Sequence, residues 1–329
     1  MLTQRIDSPA SRRRWLLGAA LAALAAFVLT RPAGAAAGAA SSAVAGGSEA
    51  AQLKLWQAIV LGVVEGVTEY LPVSSTGHLL ITTKLLGLND TQTMRDAADS
   101  YAIVIQVGAI LAVLGIYRDR FALMISGVLG RSREGLLLVR SLIIATVPAV
   151  VIALIFDDWI KAKLLGAWPV TIAWLVGGVV ILVFVHYQDR LNEHITSVAS
   201  IPPLSALIIG FAQAIAMWPG TSRSFVTLLG AMLLGCSIGV AVEFAFLLGF
   251  VTLTGASMYE LAKHGSEIFD QFGVVSPLVG VVAAGVAAFA SVRWMIGYLQ
   301  KHPLTIFGWY RLAIGALSLV LLLTGVIDN

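Results

Sequence analysis

The sequence predicts an all-α, polytopic integral membrane protein with six spanning helices plus two re-entrant helical hairpins in an inverted repeat. Three observations carry that expectation. Of 329 residues, 58% are hydrophobic and 12% charged, with a mean hydropathy of +0.90, more apolar surface than a soluble domain of this length needs. Six apolar runs are long enough to cross a bilayer. Two further stretches are as apolar but short and broken, and they repeat one another at a constant offset.

Residues 1–40 read as separate from the fold. Ser11, Arg12, Arg13, Arg14, Trp15, Leu16 and Leu17 precede an Ala/Leu-rich stretch to Thr30, then Arg31, Pro32 and an alanine-rich run. This is the layout of a signal peptide, and the arginine pair before an aromatic residue and leucines resembles a twin-arginine leader; an uncleaved signal anchor is the alternative. Up to Ala40 the segment holds five arginines against Asp7, a net +4, so the formal +3 of the whole chain becomes −1 without it. The basic balance belongs to the leader and gives no reason to expect a nucleic-acid partner. Residues 41–52, small and polar, read as a linker.

The membrane domain is expected at 53–326, in halves at about 53–190 and 204–326. In the first half an apolar stretch containing Gly62 and Glu65 ends in Ser74, Ser75 and Thr76. In the second, a stretch containing Gly210 and Gln213 ends in Ser222, Arg223 and Ser224. Gly62 matches Gly210, Glu65 matches Gln213 and Ser74 matches Ser222 at one offset. Each half thus opens with a short helix, a Pro/Gly/Ser break and another short helix. Irregular backbone at membrane depth is tolerated only within protein or beside a water-filled cavity, which makes these elements re-entrant hairpins. Three spans follow in each half, at 101–117, 139–156 and 168–185, then 244–259, 274–290 and 307–326. An odd number of spans per half inverts the second repeat.

Arg118, Arg120, Arg131, Arg133 and Arg140 follow Tyr117 and place that loop in the cytoplasm. Counting spans from there puts residues 157–163 outside, although Lys161 and Lys163 work against the charge bias. The single cysteine, Cys236, can make neither an internal disulfide nor a thiolate metal site and reads as packing.

Chemistry concentrates at the two breaks. Glu65 and Glu69 are one helical turn apart and project to the same side, and intramembrane ionisable groups mark functional sites. Adjacent carboxylates repel unless a cation or a shared proton intervenes, so Mg2+ or Ca2+ is an economical explanation; neutralisation by Arg223 and hydroxyls for structural reasons is the other. Ser74, Ser75 and Thr76 supply hydroxyls, and His78 a group that exchanges protons near neutral pH. In the second break, backbone N–H groups at a helix start, the Arg223 guanidinium and flanking hydroxyls suit a phosphate. The serines alone would read as helix caps, but an arginine within the membrane demands an anion.

The run Glu65-x-x-x-Glu69-x-x-Pro72-Val73-Ser74-Ser75-Thr76-Gly77-His78 and the run Pro219-Gly220-x-Ser222-Arg223-Ser224-x-x-Thr227 resemble the two signature motifs of the undecaprenyl pyrophosphate phosphatases, the bacitracin-resistance type. The resemblance continues through Gln106-Val107-Gly108-Ala109-Ile110, Glu243-Phe244-x-Phe246-Leu247-Leu248 and Tyr310-Arg311-Leu312, from Leu53 to Val326. It implies hydrolysis of a C55 isoprenoid pyrophosphate, released after cell-wall polymer assembly, to the monophosphate carrier and inorganic phosphate. It also implies a bacterial inner-membrane enzyme whose site faces the periplasm or cell exterior, with membrane lipids, and a second copy of the chain, as candidate partners. Three positions depart from the family pattern: Phe225 stands where Gly is usual, Ala245 where Ser is common and Val251 where Pro is common. Phe225 adds bulk beside the expected phosphate site and lacks glycine's backbone freedom, which predicts an altered rate or substrate preference.

On this reading Glu65 and Glu69 hold the metal, while Glu69, Ser75, His78 and Arg223 are catalytic. Ser75 is the nucleophile and His78 its proton-transfer partner, with direct attack by water as the competing route. Ser74, Thr76, Ser222, Ser224 and Thr227 bind substrate. Two rival classes stay open: a polyprenyl phosphate transporter, because inverted repeats with paired broken helices are a transporter architecture, and a non-catalytic lipid-binding paralogue.

Overall fold

The computed structural model describes residues 53–88, 92–272 and 274–327; the expected leader and linker lie outside them. The described chain runs through α1 (Leu55–Thr68), α2 (Ser75–Leu85), α3 (Gln92–Ile116), α4 (Arg118–Val128), α5 (Arg133–Leu164) and α6 (Ala167–Tyr187). It continues through α7 (Pro203–Ile215), α8 (Arg223–Leu233), α9 (Ile238–Phe272), α10 (Val275–Leu299) and α11 (Thr305–Leu323). No strand occurs among the described residues. Six apolar segments long enough to cross a membrane lie in α3, α5, α6, α9, α10 and α11, each overlapping one predicted span. Their outward faces carry exposed aliphatic side chains such as Leu154, Val176, Val286 and Leu323, a surface suited to lipid as solvent. The chain is a multi-pass membrane protein.

Two stretches between predicted spans are helical. The arginine-rich stretch after Tyr117 is a helix, α4, folded back on α5. Gly127 and Gly135 bring the two backbones into contact, and Ser132 caps α5 by accepting from Gly135 N at 3.1 Å. Residues 157–163, beyond the predicted span, continue α5 to Leu164. The first half therefore has one helix more than the second.

The repeat seen in the sequence governs the packing. The first helix of each hairpin lies against a long helix of the other half: α1 on α10, and α7 on α5. The equivalent glycines explain how. A Cβ on Gly62 would stand 2.5 Å from the Gly280 carbonyl oxygen, and one on Gly210 would stand 2.5 Å from that of Ala145. Small residues permit such approach between helices in lipid, where close packing replaces the hydrophobic effect as the attraction. The halves also meet through α3 against α9 and α6 against α11. Both breaks end up inside the main core, where Tyr70, Leu71 and Val73 gather with Phe225, Val226, Phe244 and Phe246.

Candidate active site

The two breaks are built alike. Ser74 and Ser222 both have φ 74°, and among the described residues they are the non-glycine positions with positive φ. Each caps the helix that follows, Ser74 Oγ accepting from Gly77 N at 3.5 Å and Ser222 Oγ from Phe225 N at 3.3 Å. Such a backbone costs about 1–3 kcal/mol and persists only where the surroundings over-determine it.

The carbonyls of the breaks show what does so, since a buried C=O needs a donor. Leu71 O accepts from Ser224 Oγ at 2.9 Å and Ser222 Oγ at 3.5 Å, Pro72 O from Arg311 at 3.2 Å, and Val73 O from Trp174 Nε1 at 2.8 Å. Arg311 also donates to Thr221 O at 3.0 Å, Gly220 O at 2.9 Å and Ala173 O at 2.8 Å. Fully buried, it ties both breaks to α6 through four carbonyls. The sequence reading includes Arg311 in a matching motif without giving it a role. Its signal was present: an arginine inside an apolar span calls for a partner as much as Arg223 does.

The structure places Phe225 against Arg311. Its ring is buried and lies under the Arg311 guanidinium, 5.1 Å from ring centroid to the central carbon, a cation–π arrangement. The ring's bulk lies beneath Arg311. The repeat-equivalent position is Gly77, where a Cβ would stand 2.6 Å from the Trp174 ring.

At the centre, one carboxylate joins the two halves. Glu69 Oε1 accepts from Arg223 Nη2 at 2.8 Å, and its Oε2 accepts from Ser75 Oγ. Ser75 and Arg223 are the first residues of α2 and α8 and are equivalent in the repeat, so the acid sits where the two helix starts converge. Arg223 Nη1 donates to Gly249 O and Thr252 Oγ1, both at 2.7 Å. Arg223 thus finds its predicted anion in Glu69. Glu65 is 2% exposed and forms no ion pair among the described residues. It borders a cavity of about 140 Å3 together with Ser75, Thr76, Leu61, Leu79, Tyr101 and Gln106.

Other predicted site residues are placed differently. His78 is not on Ser75: its Nδ1 lies 2.7 Å from Ser74 O and its Nε2 2.7 Å from the Tyr310 hydroxyl. The hydroxyl of Ser75 bonds Glu69, while the two His78 ring nitrogens face Ser74 O and the Tyr310 hydroxyl. Ser222 and Ser224 bond each other at 3.0 Å as well as Leu71 O, and Thr227 donates to Arg223 O at 2.8 Å. All three hydroxyls are buried and directed at protein. Thr76 is exposed at the cavity.

The cavity beside Glu65 offers oxygen donors of the type a hard divalent cation takes, the carboxylate with the hydroxyls of Ser75 and Thr76, and the side chain of Gln106 also lines it. Among the described residues no group of three or more His, Cys, Asp or Glu forms a metal cluster. Each oxygen of Glu69 has one protein donor, Arg223 or Ser75, while Glu65 has no ion pair among the described residues.

Paired broken helices whose acid, hydroxyl and guanidinium meet inside a multi-pass bundle define a class, a membrane protein with a buried polar site suited to an anionic group. Residues 58–317 match the family described as bacitracin resistance protein BacA, and the chain belongs to that family. It is 42% identical over 267 residues to undecaprenyl-diphosphatase 1 of Burkholderia lata, covering 80% of this chain and 94% of the relative. It is likewise 42% identical over 275 residues to an undecaprenyl-diphosphatase of Burkholderia mallei, covering 83% and 97%, and to undecaprenyl-diphosphatase 2 of Burkholderia pseudomallei over the same length.

Proposed function

We propose that the chain is an undecaprenyl-diphosphatase, hydrolysing undecaprenyl pyrophosphate to undecaprenyl phosphate and inorganic phosphate. The observation that carries the chemistry is the Glu69 carboxylate shared by Ser75 Oγ and the Arg223 guanidinium; the relatives' names supply the substrate. Arg223 exchanges part of its contact with Glu69 for the distal phosphate and stabilises charge on its oxygens as the anhydride breaks. Ser75 Oγ attacks that phosphorus, its proton passes to Glu69, and the bond to the bridging oxygen breaks so that the lipid monophosphate leaves with the electron pair. Water then cleaves the phosphoserine. In the competing route water attacks directly and Ser75 is a phosphate ligand. Glu65, with Ser75 and Thr76, would hold Mg2+ or Ca2+, and the bound cation would supply neutralisation of the phosphate oxygens.

The two hairpins enter the membrane from opposite faces, and the apolar walls of the cavity, Leu61, Leu79 and Ile105, receive the first isoprene units. The site opens to the periplasm or cell exterior of a bacterial inner membrane, the side on which cell-wall polymers leave the lipid. A second copy of the chain fits as a partner through the exposed apolar faces of α1 and α7, where Val63 and Phe211 are equivalent.

The test is purified protein in detergent with undecaprenyl pyrophosphate and Mg2+. One phosphate released per lipid, with the lipid monophosphate left behind, is expected. Movement of lipid between leaflets of a vesicle with no phosphate release would replace the phosphatase with a transporter.

A further inference from the structure

Three residues hold the His78 ring. Trp174 meets it edge to face at 4.9 Å, and Tyr310 stacks on it at 5.7 Å with an interplanar angle of 11°. Ser74 O and the Tyr310 hydroxyl take its two nitrogens. A carbonyl oxygen only accepts, so the network assigns the hydrogen to Nδ1; Nε2 of the neutral ring is then a lone-pair nitrogen that accepts from Tyr310 Oη–H. Tyr310 is the donor that makes this tautomer the favoured one.

The repeat shows what the arrangement adds. Val226 stands where the second half has the equivalent of His78, yet Ser222 keeps the same φ of 74° as Ser74. The positive-φ turn therefore forms without a histidine. The backbone N–H groups of His78 and Val226 hold the equivalent carbonyls, Ser74 O at 3.3 Å and Ser222 O at 3.2 Å; in the first half the His78 ring bonds that carbonyl as well, and the carbonyl belongs to the peptide joining Ser74 to Ser75. Fixing this peptide plane fixes where Ser75 Oγ points, toward Glu69.

We infer that Tyr310 is a positioning residue for the reaction: its hydroxyl holds His78 with Nδ1–H on Ser74 O, and so aims Ser75 at Glu69. The inference rests on the phosphatase reading for its kinetic consequence only. Tyr310→Phe removes the hydroxyl and keeps the stacked ring. Loss of one neutral hydrogen bond predicts kcat lower by about 3- to 10-fold, with KM within about twofold and the thermal midpoint unchanged. Because Tyr310 acts through His78, adding Tyr310→Phe to His78→Ala should change kcat by less than about twofold further.

The experiment measures phosphate release in detergent for wild type, both single variants and the double variant. It is joined to 15N NMR of histidine-labelled protein in lipid, with the His78 signals assigned by their loss in His78→Ala. Wild type should show a protonated Nδ1 and an unprotonated Nε2 at His78, and Tyr310→Phe should mix or exchange the tautomers. Unchanged kcat in Tyr310→Phe, an equal loss in the His78→Ala background, or a loss confined to KM would each overturn the inference. So would an unaltered His78 signal in Tyr310→Phe. Wild type without phosphatase activity would instead sink the proposed function, leaving the NMR arm to decide the placement of Tyr310.

Discussion

Replacing Arg223 by lysine keeps the charge and removes the fork, and the structure fixes what that removes. The guanidinium spans from Glu69 Oε1, 2.8 Å from Nη2, to Gly249 O and Thr252 Oγ1, each 2.7 Å from Nη1. A single ammonium cannot serve both sides, so Arg223→Lys gives up either the contact with the acid or the pair on α9. A hydrogen bond involving a charged group contributes about 1.5–3 kcal/mol, which converts to about 10- to 150-fold in kcat if the contact is made in the transition state. Arg223→Ala goes further and leaves Glu69 buried without its cation, a change that costs about 3–5 kcal/mol in comparable buried pairs. The assay is phosphate release at saturating lipid, with thermal midpoints recorded to separate lost chemistry from lost folding. Arg223→Lys with a normal midpoint and kcat within twofold of wild type would refute the reasoning and make Arg223 a structural tie.

Glu65→Gln and Glu69→Gln should both lower turnover strongly, but differently across a Mg2+ titration: Glu65→Gln should regain activity at high Mg2+ if it leads the coordination, while Glu69→Gln should not, having lost the proton acceptor for Ser75. Identical Mg2+ dependence in the two variants would contradict that division. Gly62→Ala and Gly210→Ala should each lower stability by about 1–3 kcal/mol, because backbone rather than a movable side chain faces the added methyl; a thermal midpoint matching wild type in either would refute the helix contact there. Burial pushes the Cys236 thiol up to about 11, so its thiolate fraction is small at neutral pH and grows only as pH approaches that value. Maleimide should label the folded protein slowly at pH 7.5 and rapidly in SDS, and fast labelling of the folded form would show Cys236 accessible.

What the sequence reveals of this protein follows from the range of the interactions involved. Apolar length is a property of consecutive residues, so the six spans are legible, and so are the breaks, where Pro, Gly and Ser interrupt that length. The offset linking Gly62 to Gly210 shows the repeat before any coordinates do. Helix α4 escapes because a charge-based reading of arginines after Tyr117 concerns sidedness and says nothing of backbone; the Gly127–Gly135 contact that folds it on α5 depends on three-dimensional proximity. The site divides in the same way. Glu69 and Ser75 are six residues apart, and their bond crosses only the break. His78 and Tyr310 are 232 residues apart and Arg311 and Pro72 are 239 apart. No local pattern states that His78 will face Tyr310 in preference to Ser75, or that Ser224 will serve the Leu71 carbonyl. The same range governs Phe225, since whether its ring points at the site or at Arg311 depends on residues distant in the chain.

The most direct measurement of the central claim, that Glu69 joins a serine and an arginine from two broken helices into one hydrolytic centre, is a rapid acid quench of the reaction followed by intact-protein mass spectrometry. Wild type and Glu69→Gln would be compared at equal protein and saturating undecaprenyl pyrophosphate. The account predicts a phosphoryl adduct on Ser75 in wild type that forms as lipid monophosphate appears, and in Glu69→Gln neither adduct nor product on the same time scale. Full product formation by Glu69→Gln, folded and at the wild-type rate, would contradict it.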